Sequence, residues 1–106
     1  MPKYLIQASY TAEGVQGLLK EGGSKRRAAA EQAINGLGGK LEAFYFALGD
    51  TDVFAIADAP DNMSAAAVSL AVTATGTVHA KTTVLMTPEE MDQATRKSVS
   101  YRPPGR

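Results

Sequence analysis

The sequence predicts an α+β fold, with four antiparallel strands in one sheet and helices on one side of it. Segments typical of strands and helices follow one another in the order β-α-β-β-α-β, and a further helix ends the chain. Two β-α-β halves with right-handed crossovers give the ferredoxin-like sheet, which leaves one face bare. The two middle strands are apolar on both faces, so we expect a second copy to cover that face and complete a dimeric α/β barrel.

The first strand and a short helix are predicted at the beginning of the chain. Lys3–Tyr10 alternates two sets of side chains and places Tyr4 and Tyr10 on the same face. Thr11 is a suitable N-cap for the helix that follows. Apolar residues recur in this helix at i, i+3 and i+4, namely Val15, Leu18 and Leu19.

A second helix is predicted before the next strand. Gly22-Gly23 ends the first helix, and Ser24 is expected to cap a helix over Lys25–Leu37. Gly38-Gly39 then supplies the positive φ with which many helices end.

The centre of the chain reads as a β-hairpin. Lys40–Leu48 and Thr51–Asp58 are rich in aromatic and β-branched residues, and Gly49-Asp50 between them is typical of a turn. Simple alternation divides the first of these strands into two faces, Leu41, Ala43, Tyr45 and Ala47 against Glu42, Phe44, Phe46 and Leu48. Because both faces are largely apolar, we expect another layer of protein to pack against each side of the hairpin.

The last third is predicted to hold a helix, a strand and a terminal helix. Asp61 is expected to cap the first of these helices and Gly76 to end it. Its apolar residues form one stripe, Met63, Ala67, Leu70, Ala71 and Ala74, while Val68 and Val72 lie elsewhere. A helix that is apolar on more than one side tends to be buried on more than one side.

Thr77–Met86 is the predicted fourth strand. Thr87-Pro88-Glu89-Glu90 combines an N-cap, a first-turn proline and a capping-box glutamate, and predicts a helix of about eleven residues. We expect a single domain over residues 1–97 and a flexible tail over Ser98–Arg106.

Composition narrows the range of functions. The chain has no cysteine, which excludes disulfides and thiolate chemistry. Its 11 basic and 11 acidic residues balance, so no overall field attracts nucleic acid. No apolar run is long enough to span a bilayer, and the N-terminus does not resemble a signal peptide. We expect a cytoplasmic protein with neither nucleic acid nor membrane among its partners.

Several short segments together carry a family resemblance. They are Tyr10-Thr11 with Gly14, Gly38-Gly39-Lys40-Leu41, Tyr45 to Leu48-Gly49, Asp52-Val53, Ala55-Ile56 and Ala59-Pro60-Asp61. On these segments the chain resembles the GYD domain family of the dimeric α/β-barrel group over Met1–Met91. The family is named for a Gly-x-Tyr-Asp-like turn, and this chain reads Gly49-Asp50-Thr51-Asp52, with threonine in place of tyrosine. The resemblance implies the fold and a homodimer. Relatives on this fold include cofactor-free monooxygenases, haem-degrading enzymes and small-molecule binding domains, and the fold alone does not choose among them.

The candidate catalytic residues are His79, Tyr4 and Tyr10. His79 is the only histidine and lies within the fourth strand, where it would serve as a general base or haem ligand, or else as a polar side chain lining a dimer interface. Tyr4 and Tyr10 share a face, and their hydroxyls are the polar groups expected in any cavity between sheet and helices.

Two charged clusters have both a functional and an ordinary interpretation. Asp50 and Asp52 flank the turn after Gly49 and would bind a cation or transfer protons, but aspartate is also a common turn residue, which we favour. Lys25, Arg26 and Arg27 lie in the first turn of a helix, where the helix dipole disfavours cations. A bound anion, salt bridges to Asp50 or Asp52, or simple solvation would each explain them.

The leading functional hypothesis is a homodimer that binds a small-molecule ligand, in a binding or regulatory role. The alternative is a cofactor-independent monooxygenase or isomerase that uses His79 or a pocket tyrosine. One histidine without cysteine or an HExxH pattern argues against zinc, and we expect no metal and no cofactor.

Overall fold

The structure, a computed structural model, describes residues 1–106. Four strands and four helices follow one another in the predicted order. They are β1 (Lys3–Tyr10), α1 (Ala12–Glu21), α2 (Gly23–Gly36), β2 (Lys40–Phe46), β3 (Val53–Asp58), α3 (Asn62–Ala74), β4 (Val78–Leu85) and α4 (Pro88–Thr95). Residues 98–106 contain neither helix nor strand. None of the helices combines the length and the apolar character that crossing a membrane requires.

The four strands form one open antiparallel sheet in the order β2-β3-β1-β4. This arrangement confirms the predicted α+β class. α2 packs against β2, and α3 packs against β4. The small buried core lies beneath α2 and consists of Ile34, Leu41, Ala55 and Ala57, with Ile6 and Phe44 against it.

The side of the sheet away from this core, here called the open face, carries the alternate residues of each strand. Strand register places there Leu5, Gln7 and Ser9 of β1, Ala43 and Tyr45 of β2, Phe54 and Ile56 of β3, and His79, Lys81 and Thr83 of β4. Tyr45 is 71% exposed and its cross-strand partner Phe54 is 38% exposed. The half of the open face on β2 and β3 is therefore apolar, and the half on β4 is polar.

The predicted faces of β2 are wrong beyond its second residue. A register shift between Leu41 and Ala43 marks a β-bulge, and a bulge places two residues opposite one and reverses the alternation after it. Phe44 and Phe46 consequently lie on the same side as Leu41, with their rings in an edge-to-face contact at 5.4 Å. A methyl group on Gly23 of α2 would lie 2.9 Å from the Phe46 ring, which places that ring against the beginning of the helix.

The hairpin turn is longer than predicted. It spans residues 47–52 because β2 ends at Phe46 and β3 begins at Val53. The N–H of Asp52 donates to the carbonyl of Ala8 at 2.9 Å, so the loop folds back onto the end of β1. β4 is likewise one residue shorter at each end than predicted, and α4 has 8 residues rather than about eleven.

Three of the four predicted N-caps are confirmed. The side chains of Thr11, Asp61 and Thr87 each accept the N–H three residues on, and Glu90 completes the capping box by accepting from the N–H of Thr87 at 2.9 Å. The hydrogen bonds from the N–H groups of Ser64 and Thr87 lower the pKa values of Asp61 and Glu90.

The fourth predicted cap, Ser24, is wrong. α2 begins two residues earlier than predicted, at Gly23, with Gly22 as an N-cap that offers no side chain. Gly22 has a φ of 85°, a conformation that favours glycine, so a single residue ends α1 and starts α2.

The apolar stripe predicted for α3 faces solvent rather than the sheet. Met63 is 78% exposed and Leu70 is 71% exposed. The residues turned towards the sheet are instead the smaller ones, Ala65, Val68 and Val72. Because α3 is apolar on most of its circumference, hydrophobic spacing alone does not select the face that packs.

Candidate functional site

A cleft lies between α2, α3 and the side of the sheet that these helices cover. Each helix packs on its own edge of the sheet, and the space of about 160 Å³ between them remains open. Small side chains on both helices create this space, among them Ala30 and Ala33 of α2 and Ala65 and Val68 of α3. Ile6 and Ala55 form part of the floor, so the lining is mainly apolar.

Both candidate tyrosines line this cleft. Tyr4 is only 2% exposed, and its hydroxyl donates to Oδ1 of Asn62 at 2.6 Å, where α3 begins. Tyr10 lies further along β1, and its backbone N–H donates to the carboxylate of Asp52 at 2.8 Å. The Tyr4 hydroxyl thus has the partner that a buried phenol requires, and it holds the first turn of α3 to the sheet.

Of the three cations near the beginning of α2, only Arg26 lines the cleft. Its Nη1 lies 3.4 Å from Oε1 of Glu21, and about a third of its side chain is exposed. Lys25 and Arg27 are exposed and belong to no ion pair. The three side chains are therefore not brought together, and none of them pairs with Asp50 or Asp52.

His79 lies on the other side of the sheet from the tyrosines. It is exposed, its cross-strand partner on β1 is Ser9, and Lys81 and Thr83 follow it on the open face. The sheet separates its imidazole from the cleft, so the three candidate catalytic residues do not converge.

The two turn aspartates have different environments. Asp52 Oδ2 accepts the N–H of Tyr10 at 2.8 Å, while the backbone carbonyl of Asp50 accepts the Ser9 hydroxyl at 3.0 Å. Both contacts fasten the hairpin loop to the end of β1. Gly49 itself faces open space, since a methyl group there would meet nothing within 4 Å. This geometry agrees with the ordinary turn interpretation. No three side chains among His, Asp and Glu gather in a group that would hold a metal ion.

Residues 4–95 match the sequence model of the GYD domain. The chain belongs to the GYD domain family. The match extends from β1 to the end of α4 and bears out the resemblance seen in the sequence. The same comparisons found no matching curated protein and no matching solved structure.

Two features of this GYD domain were not predicted from its sequence. Asn62, the partner of Tyr4, follows a recognised helix cap, but nothing in its spacing indicated a contact with a residue 58 positions earlier. Lys3 joins Asp58 at 3.0 Å and Glu42 at 3.2 Å, and the hydrogen bonds to Asp58 and Glu42 raise the pKa of Lys3. This ionic group ties together one end of β1, β2 and β3.

Proposed function

We propose that this GYD domain is a small-molecule binding subunit of a homodimer, and that the cleft takes a compact apolar molecule bearing one acid group. The observation that carries the proposal is the cleft itself, an apolar space with one cationic side chain, Arg26, in its lining. Asp58 also borders the cleft, but its carboxylate is paired with Lys3 at 3.0 Å. Sites for small molecules are usually apolar concavities with a few polar groups that orient the ligand.

The size of the cleft limits the apolar part of the ligand. Its volume of about 160 Å³ is close to that of an engineered protein cavity of about 150 Å³ that binds benzene. A single aromatic ring or a short branched alkyl chain would fill such a space. Large planar cofactors would not fit between the helices without moving them.

Arg26 supports an anionic group on that ligand. A guanidinium binds a carboxylate with two parallel hydrogen bonds, and its present partner Glu21 is held only at 3.4 Å in a partly exposed position. An exposed pair of this kind contributes little, typically below about 1 kcal/mol. A ligand carboxylate would therefore replace Glu21 at low cost.

The contacts of the candidate catalytic residues favour binding over catalysis. The Tyr4 hydroxyl is already bonded to Asn62, and His79 is separated from the cleft by the sheet. A general base must come within hydrogen-bonding reach of the proton that it removes. A monooxygenase or isomerase that uses His79 therefore has less support than a binding domain.

The open face supports the homodimer part of the proposal. Tyr45, Phe54 and Ile56 form an apolar surface on β2 and β3 that no other element of the chain buries. Two such faces packed against each other by a two-fold axis would bury both at once, since an isologous interface uses the same surface twice.

The binding proposal is tested by titrating the ¹⁵N-labelled protein with phenylacetate and, separately, with the neutral phenylacetamide. We expect phenylacetate to shift the amide resonances of Ala30, Ala65 and their neighbours, with a Kd on the order of 1 mM or tighter for a ligand of this size. Arg26→Gln should weaken phenylacetate binding about tenfold, or ~1.4 kcal/mol, and leave phenylacetamide unaffected.

The adjacent residue provides a matched control for this titration. Arg27→Gln removes the same charge from the same helix turn but outside the cleft, so its affinity for phenylacetate should equal that of the unmodified protein. If the two variants lost equal affinity for phenylacetate, the positive charge of this part of the surface, and not the cleft, would be what attracts the ligand. An absence of shifts around the cleft with both compounds would contradict the proposal.

A further inference from the structure

The last part of the chain extends away from the rest of the molecule. The C-terminal arm, defined here as residues 88–106, starts directly after β4 with the Thr87–Glu90 capping box, whose two hydrogen bonds measure 2.9 and 3.1 Å. Every residue from Pro88 to Arg102 is exposed, and no helix or strand packs along α4. The start of α4 is thus well defined although its sides contact almost nothing.

The overall dimensions show how far the arm projects. The radius of gyration is 17.0 Å, whereas a compact domain of this length has about 13 Å. The longest extent of the chain is 57 Å, against 33 and 23 Å in the other two directions. Such an elongated shape leaves the arm able to reach a neighbouring molecule.

The exposed area matches what a second copy would cover. The chain exposes 7588 Å², whereas a monomer of 11.1 kDa exposes about 5,700 Å². The excess of roughly 1,900 Å² falls within the 1,000 to 2,500 Å² or so that each subunit of an obligate homodimer buries. The open face and the arm both contribute to this exposed area, and a partner chain that covered both would bury an area of this order.

The residues of the arm are suited to protein contact rather than to a polyanion. Three large apolar side chains are at least half exposed along it, Met91, Val99 and Tyr101. Acidic residues come first and basic residues follow, Glu89, Glu90 and Asp92 before Arg96, Lys97, Arg102 and Arg106. Apolar anchors between charges of both signs are typical of protein interfaces, in which tyrosine and methionine are enriched.

We propose that the C-terminal arm crosses to the second copy and packs against its body, so that each subunit of the dimer holds the other. The inference rests on the homodimer of the proposed function, but the open faces alone would suffice for that dimer without the arm. Arm exchange places Met91, Val99 and Tyr101 in contact with the partner subunit.

Isotope-resolved cross-linking tests where the arm lies, and it is simple because the chain has no native cysteine. Val99→Cys is labelled with a benzophenone maleimide, and ¹⁴N and ¹⁵N proteins are mixed until their subunits exchange. After illumination, mass spectrometry should find arm peptides of one isotope joined to body peptides of the other. Leu19→Cys, at an exposed position of α1, is the control and should give few mixed-isotope products.

The outcomes separate the arm from the dimer. A dimer in which the Val99→Cys cross-links join only peptides of the same isotope, or in which the arm cross-links to nothing, would overturn arm exchange and leave the open-face dimer standing. A monomer in the unmodified protein would overturn both proposals together.

Discussion

Replacing Tyr45 by aspartate is expected to separate the protein into folded monomers. Tyr45 is 71% exposed in the single chain, so the carboxylate remains in water there and the fold is not disturbed. In the proposed dimer the same side chain faces the partner's apolar surface, and burying a charge without a partner costs on the order of 3 kcal/mol or more. The dimer Kd, measured by sedimentation, should rise at least ~100-fold.

The control for this change is Leu19→Asp. Leu19 is 80% exposed on α1, away from the open face, and receives the same charge on an equally accessible apolar residue. It should dimerise like the unmodified protein. If Tyr45→Asp retains an unchanged dimer Kd while its circular dichroism is native, the open face is not the interface.

Replacing Gly14 by alanine is expected to cause the largest loss of stability of any single methyl addition in the chain. A Cβ at this position would overlap the backbone oxygen of Thr77 and lie 3.0 Å from the Tyr10 ring. The Thr77 oxygen cannot move away freely, because it accepts a hydrogen bond from the N–H of Thr11 at 3.0 Å. We expect a loss of about 3 kcal/mol or more, and a melting temperature lower by at least about 12 °C.

Gly17 in the same helix is the matched control. A methyl group there would meet nothing within 4 Å, and alanine is favoured over glycine in a helix by about 1 kcal/mol. Gly17→Ala should therefore raise the melting temperature measured by circular dichroism. If Gly14→Ala and Gly17→Ala changed the melting temperature alike, α1 would not pack against the Thr77 backbone just before β4.

Most of this fold could be predicted from the sequence because the features that define its helices and turns depend on residues close together in the chain. Thr11, Asp61 and Thr87 cap helices through contacts with the residue three positions on, so the sequence alone specifies them. The bulge in β2 depends on how that strand pairs with β3, and Leu41-Glu42-Ala43 contains no glycine or proline to indicate it. For this reason the alternation rule failed for Phe44 and Phe46.

The candidate site was less predictable than the fold because it depends on the distance between two helices. Hydrophobic spacing on α3 favoured Met63 and Leu70 as core residues, whereas the sheet contacts the smaller Ala65 and Val68. No periodicity shows that alanines on α2 and α3 leave a cleft. Tyr4 and Tyr10 were correctly placed on one face, but the separation of Arg26 from Lys25 and Arg27 depends on where α2 begins and how it turns towards the sheet.

Sedimentation equilibrium of the unmodified protein at micromolar concentration is the most direct test of whether this GYD domain is one half of a homodimer. We predict a species of about 22 kDa, twice the 11.1 kDa of one chain, with no monomer at the upper end of that range. A folded species of 11.1 kDa at every concentration would contradict the account, because the apolar open face and the arm would then both remain in water.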